Sequence, residues 1–375
     1  MKRFILFIGF LLLFCTGIYL NSHCTSDQEK EIKLSPKEEL GKMLFFDKNL
    51  STPPGQACAD CHAPESGFGN PDKGLPVSRG VHMDRFGNRN DLTAAYVGFS
   101  PEFHFDEEEG LYVGGQFWDG RAATLEEQAK GPFLNLLEMA NPNEEAVIIK
   151  IRNADYADLF REVFGSDALD DIDKAYNFTA EAIAEYERSA ELNKFNSKYD
   201  LYLQGQVQLT EEELRGLAVF EDEEKGNCAA CHPNTPGEEG QPPLFTDYTY
   251  DNLGTPKNGE MPFYYLPAEF NPDGVNYTDP GLGGFLENTE ELGKFKVPTL
   301  RNIALTSPYL HNGIFKTLRE VVVFYNTRDI GPWPPPETTV NVNRDELGDL
   351  GLSESEIDDL VAFLKTLSDD YVKDK

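Results

Sequence analysis

Four cysteines outside the N-terminal leader carry the first chemical signal. Cys58 and Cys61, and again Cys228 and Cys231, are spaced C-x-x-C, and each pair is followed at once by a histidine, His62 and His232. Two thiols at that spacing can bond to the two vinyl groups of a haem while the adjacent imidazole ligates its iron. A single C-x-x-C would equally suit a redox dithiol or half of a zinc site. Zinc would need the two pairs to converge and would need no histidine after both. Two full copies, with the remaining cysteines, Cys15 and Cys24, confined to the leader, point to two covalently attached c-type haems.

The elements that must position these turns repeat as well. Ser35-Pro36-Lys37-Glu38 reads as a capping box with proline at the first helical position, leading into Leu40, Met43 and Leu44 at helical spacing. Thr210 to Glu213 repeats the box ahead of Leu214, Leu217, Ala218 and Phe220, and Ser353 to Glu356 opens a third helix with an apolar stripe from Ile357 to Leu367. That last stripe is expected to pack on the helix opening the second module. Thr124 to Asn141 and Thr179 to Leu203 are helical by composition. Val77 to Gly115 and Pro233 to Pro298 are rich in Gly, Pro and Asn, and each follows a haem motif, where loops must wrap a haem face. Strand-like alternation is scarce. The predicted fold is mainly α, with two tandem cytochrome c-like helical domains over residues 30–200 and 205–375, divided near Asp200 to Gln208.

Composition narrows the partners. The chain has 375 residues, enough for two cores, and its 33 basic against 65 acidic side chains give a formal charge of −32. Phosphate backbones would be repelled, so nucleic-acid binding is excluded, while a basic protein partner would be attracted. Lys2 and Arg3 precede an apolar run from Phe4 to Leu20, so residues 1–24 read as an export signal, a short membrane anchor, or a lipoprotein leader ending at Cys24. The expected location is the periplasm or cell envelope, with a membrane tether through the N-terminus left open.

Over Leu34 to Leu367 the sequence resembles the bacterial di-haem cytochrome c peroxidase and MauG family. The matching stretches are Arg89-Asn90, Gln116 to Arg121 (QFWDGR), Gln128 to Pro132 leading to Glu138-Met139-Ala140-Asn141, and Val297 to Gly313 (VPTLRNIALTSPYLHNG). The resemblance implies reduction of hydrogen peroxide at the N-terminal haem, with electrons from a small cytochrome c or cupredoxin relayed through the C-terminal haem. It makes His62 and His232 the proximal ligands. It makes Glu138, ten residues beyond Gln128, the distal acid/base, with Gln128 beside it, and Trp118 the relay between the haems. It also implies a calcium ion held by Asn90, Thr306 and Pro308, and allows a homodimer.

Two positions pull against each other. His82, eight residues before Asn90, matches a removable distal histidine that gates the first iron until the second is reduced. Tyr325 stands seventeen residues after Pro308, where typical peroxidases present methionine; MauG-like proteins present tyrosine there, which favours ferric iron. The leading reading is therefore a peroxidase. A MauG-like enzyme that oxidises Trp or Tyr of a partner protein is the second, and a non-enzymatic di-haem electron carrier the third. A carrier would need neither Glu138 nor Gln128.

Overall fold

A computed structural model describes residues 32–237 and 240–372. The expected leader over residues 1–24 lies outside the described residues. The helices run α1 (Pro36–Phe46), α2 (Leu125–Leu134), α3 (Glu144–Arg152), α4 (Ala157–Phe164), α5 (Ile172–Glu187), α6 (Lys198–Leu203), α7 (Glu211–Glu221), α8 (Leu282–Leu286), α9 (Leu318–Thr327) and α10 (Glu354–Lys365). No helix among the described residues is long and apolar enough to cross a membrane. Strands are few: β1 (His104–Asp106) pairs antiparallel with β2 (Leu111–Val113), and β3 (Tyr250–Asp251) with β4 (Phe295–Lys296).

The three expected capping boxes form. Ser35, Thr210 and Ser353 each accept the backbone N–H of Glu38, Glu213 and Glu356, and each glutamate returns the bond to its cap's N–H. Satisfying these otherwise unpaired donors fixes where α1, α7 and α10 begin. α7 then leads to the 3-10 turn Cys228–Ala230, and α1, by way of a first 3-10 turn at Lys48–Leu50, to the turn Cys58–Asp60.

Each module closes by crossing its first helix over its last at a glycine. A Cβ on Gly41 would lie 1.8 Å from the Ala182 carbonyl oxygen of α5, and one on Gly216 would lie 2.0 Å from that of Asp359 on α10. Only hydrogen fits there. Leu40, Leu44, Phe45, Ile183 and Tyr186 belong to one buried cluster, and Phe220, Ile357, Leu360 and Phe363 to a second. The first core draws on residues from Leu40 to Leu192 and the second on residues from Tyr199 to Leu367. Between them Arg301, 1% exposed, grips Asp200 through both carboxylate oxygens at 2.8 and 3.0 Å and stacks on Phe195 and Tyr96.

Two expected helices are shorter than their composition suggests. Thr124 to Asn141 stops at Leu134, because Asn135 turns extended (ψ 120°) and its Oδ1 accepts the Leu137 N–H at 3.0 Å. An Asx turn of this kind competes with helix continuation. Thr179 to Leu203 breaks after Glu187, where the Asn193 amide donates to the carbonyls of Glu187 and Ser189, each at 2.8 Å. Ser197 then starts α6 with its own capping box.

Candidate active site

The two haem-attachment turns are built alike. In each the histidine N–H bonds to the carbonyl of the first cysteine at 2.9 Å. His62 Nδ1 faces the Phe68 carbonyl at 3.3 Å and His232 Nδ1 faces that of Phe245 at 2.8 Å. Each acceptor is a phenylalanine with positive φ, 58° and 55°. A backbone acceptor on Nδ1 leaves Nε2 for a metal and sets the ring's orientation. Burial lowers both imidazole pKa values, that of His232 to about 4, so both stay neutral and able to ligate.

A cavity opens beside each turn. The first is lined by Cys58, Cys61 and His62 and the second by Cys228, Cys231 and His232. Thiols and imidazole on one wall with largely apolar residues around them fit haem. So do the buried Arg79 Nε and Gln56 Oε1 at the first cavity, which have no partner among the described residues and suit the carboxylates and waters of such a cofactor.

The first cavity is polar on its far side. α2 contributes Gln128, Ala129 and Pro132, and the turn after it contributes Leu137 and Glu138. Glu138 is thus on a turn, not on the helix expected for it. Its Oε1 accepts the Asn135 amide at 2.7 Å. Burial pushes its pKa up to about 7 and the nearby Asp91 adds to this, while Arg121 and the Asn135 bond pull it down. Near neutral pH such a carboxyl both takes and gives protons.

A hairpin from Ser78 to Gly87 clasps this turn. The Val81 N–H bonds to the Glu138 carbonyl at 2.9 Å, and a Cβ on Gly80 would lie 2.1 Å from the Leu137 carbonyl oxygen. His82 sits at the hairpin's tip, where its carbonyl accepts the Arg85 N–H at 3.0 Å. It is not among the residues lining the first cavity. The structure therefore brings Gln128, Glu138, His62 and Trp118 together and leaves His82 apart.

The cavities share a wall. Asn90, Asp91, Leu92, Thr93 and Trp118 line both. Trp118, 8% exposed, donates its indole N–H to the Asn90 carbonyl at 2.7 Å and meets Phe295 edge-on at 6.4 Å. Its backbone carbonyl accepts the Lys296 N–H at 2.8 Å. Next to it Asp119 and Asp279 both pair with Arg89, each at 2.7 Å. The residues expected to hold calcium line one cavity: the Asn90 amide donates to the Pro308 carbonyl at 2.6 Å, its Oδ1 is buried without a partner among the described residues, and Thr306 and Pro308 line the second cavity with it.

The second cavity takes most of its α9 lining from aliphatic side chains. α9 contributes Leu318, Val321, Val322 and, half-buried, Tyr325. Burial holds the Tyr325 phenol well above its usual pKa.

Two wall residues escaped the sequence reading. Lys296, 5% exposed, donates to the Gly115 carbonyl at 2.6 Å in the second cavity's wall, and burial lowers its pKa to about 7. Glu187, also 5% exposed, lines the first. A signal for Glu187 was present: it falls on the apolar face of α5, four residues after Ile183 and seven after Ala180.

Residues 35–208 match the family model for di-haem cytochrome c peroxidase. The methylamine utilization protein MauG of Paracoccus denitrificans is 39% identical over 349 residues, covering 88% of each chain. The cytochrome c551 peroxidase of Nitrosomonas europaea is 32% identical, covering 88% of this chain and 80% of its own. The crystal structure of the di-haem peroxidase BthA from Burkholderia thailandensis superposes with a TM-score of 0.78 at 34% identity, over 90% of this chain and 89% of that one. Two helical cytochrome c-like modules, two C-x-x-C-H cavities and these likenesses across nearly all of the chain make it a member of the di-haem cytochrome c peroxidase family, and so a peroxidase-class oxidoreductase with two c-type haems.

Proposed function

We propose that hydrogen peroxide is reduced to water in the first cavity, with electrons that a small cytochrome c or cupredoxin delivers to the second and that pass through Trp118. The observation that carries this reading is the shared cavity of His62, Gln128 and Glu138, with Trp118 in the wall common to both sites. Bound haem would supply the iron that takes a peroxide oxygen and the capacity to hold electrons between steps. His62 and His232 would hold its iron, and Tyr325 would be a further ligand at the second site.

Glu138, balanced near neutral pH, takes the proton from one peroxide oxygen and returns it to the leaving oxygen. Asn135 and the Ser78–Gly87 hairpin hold it for that task, and Gln128 orients the peroxide beside it. Asn90 Oδ1 with the Thr306 and Pro308 carbonyls would hold a calcium ion, whose hard charge suits oxygen donors, and would tie two distant segments together. Residues 1–24 export the chain to the cell envelope.

Steady-state peroxide consumption with a reduced small cytochrome, before and after partial reduction of the protein, tests the reading. Turnover is expected; its absence in both states would overturn the peroxidase assignment. A second reading, oxidation of Trp or Tyr on a partner protein as a MauG-like enzyme, is favoured by Tyr325 at the second cavity and by His82 standing outside the first. Peroxide reaction of the all-ferric protein without prior reduction would support it. A requirement for reduction that His82→Gly removes would instead make His82 the gate.

A further inference from the structure

Reduction of one peroxide consumes two electrons and two protons. Glu138 moves a proton between the two oxygens, which rearranges peroxide but adds no proton to it. The added protons must come from another group at the cavity. Three carboxyls line it: Asp91, Glu138 and Glu187. Asp91 is held by the Ser78 hydroxyl and Glu138 by Asn135. Glu187 differs from both. It ends α5 at 5% exposure, its Oε2 is buried without a hydrogen-bond partner among the described residues, and the same cavity is lined by Ile183, Leu125 and Ala129.

A buried charge in such surroundings is costly, so the group is held neutral or is satisfied by what enters the cavity. The charges around it do not rescue the anion. Burial pushes its pKa up to about 8; Arg188 pulls it down, and Glu126 of α2 pushes it further up. Arg188 is itself engaged, donating to Glu126 at 2.6 Å. Across the helix, α1 presents Lys37 and Lys42, paired with Glu181 and Glu191 at 2.6 and 2.8 Å. On the cavity side Glu187 acts on the Cys58 sulfur, after burial the largest influence on that thiol and ahead of Glu138.

We propose that Glu187 is a second acid of the first cavity, a protonated carboxyl that supplies one of the two protons consumed per peroxide. This rests on the peroxide-reducing reading of that cavity. The O–O bond breaks, two electrons arrive from the redox partner, and both O–H bonds of the second water form, one with the proton released as the Glu187 O–H bond breaks and the other with a proton taken from solvent. The resulting carboxylate regains its proton from solvent on the side of the Arg188–Glu126 pair, whose side chains are 38% and 34% exposed.

The test uses the protein with both haems bound, as parent, Glu187→Gln and Glu187→Asp. Infrared spectra of the ferric parent should contain a carboxylic-acid carbonyl band that titrates near pH 8 and is missing in Glu187→Gln. With a reduced cytochrome, kcat of the parent should fall as pH rises through that value. In Glu187→Gln it should be lower by roughly tenfold or more and flat across that range. The second-order reaction of peroxide with the ferric protein, which depends on Glu138, should stay within about threefold, and Glu187→Asp should recover part of kcat and its pH dependence. A merely structural glutamate would not move the pH profile. Parent-like kcat and profile in Glu187→Gln, or an unchanged carbonyl band, would overturn this proposal alone. A parent inert toward peroxide would overturn it together with the peroxidase reading.

Discussion

The two modules share one plan on the side that attaches haem and diverge on the side that faces it. Gly41 and Gly216 stand six residues after the caps Ser35 and Thr210, and both let an opening helix cross a closing one. His62 and His232 both lean on the carbonyl of a positive-φ phenylalanine. In the cavity of His62, a helix end and turn bring Gln128 and Glu138, and α5 ends in Glu187. In the cavity of His232, α9 brings leucine, valine and Tyr325. The first site brings an amide and an acid, Gln128 and Glu138, from one helix end and the turn after it, whereas α9 gives the second site aliphatic side chains and a phenol. The difference teaches that the attachment turns are common equipment and that function is assigned by what faces them.

The comparison breaks most sharply by removing one haem at a time. Replacing Cys58 and Cys61 by serine should abolish the reaction with peroxide, whereas replacing Cys228 and Cys231 should leave that reaction and abolish turnover with a cytochrome donor. Pyridine haemochrome and intact mass should report two haems in the parent and one in each variant. A parent mass fitting fewer than two would sink the two-site description.

Glu138→Gln should slow the peroxide reaction by roughly 100-fold, the scale of a positioned acid/base, with both haem spectra intact. In the parent the rate should rise with pH through about 7, as the carboxyl becomes the base, and that rise should vanish in the variant. Stopped-flow rates within about threefold of the parent would remove Glu138 from the chemistry.

The second site is sharpened by Tyr325→Met. Thioether ligation favours Fe(II) where a phenolate favours Fe(III), so the midpoint potential of the second haem should rise by about 60 mV or more, a tenfold change for one electron. Redox titration of both proteins decides it; an unchanged midpoint would make Tyr325 a packing residue. The smallest effect on turnover is expected from Gly41→Ala and Gly216→Ala, because each acts on helix crossing alone. Each should cost about 1–3 kcal/mol of stability through overpacking. Thermal unfolding near that of the parent for either would mean that its module does not need the close crossing.

Much of this site could be read in one dimension wherever a residue's neighbours are also its sequence neighbours. The haem turns and the three capping boxes are of this kind; the apolar stripe of α10 shows in the sequence that this helix has a face to bury, while its partner α7 lies far along the chain. Helix ends were less legible. The Asx turn at Asn135 and the amide of Asn193 override helical composition locally, and their partners, such as the Tyr96 N–H bonded to Asn193 Oδ1 at 2.8 Å, lie far along the chain. Glu138 was found by resemblance, yet its seat on a turn clasped by a glycine hairpin was not readable from helical spacing.

By itself the sequence determined the number of haem sites, the helical class and the charge of the surface, because covalent attachment, capping and net charge depend on residue type at short range. Only the tertiary structure decided that Asn90 to Thr93 and Trp118 form one wall for two cavities, that His82 stands outside the first, and that Glu187 faces it unpartnered. Those outcomes depend on which distant segments pack together, and burial, which sets a carboxyl's protonation, exists only once they have.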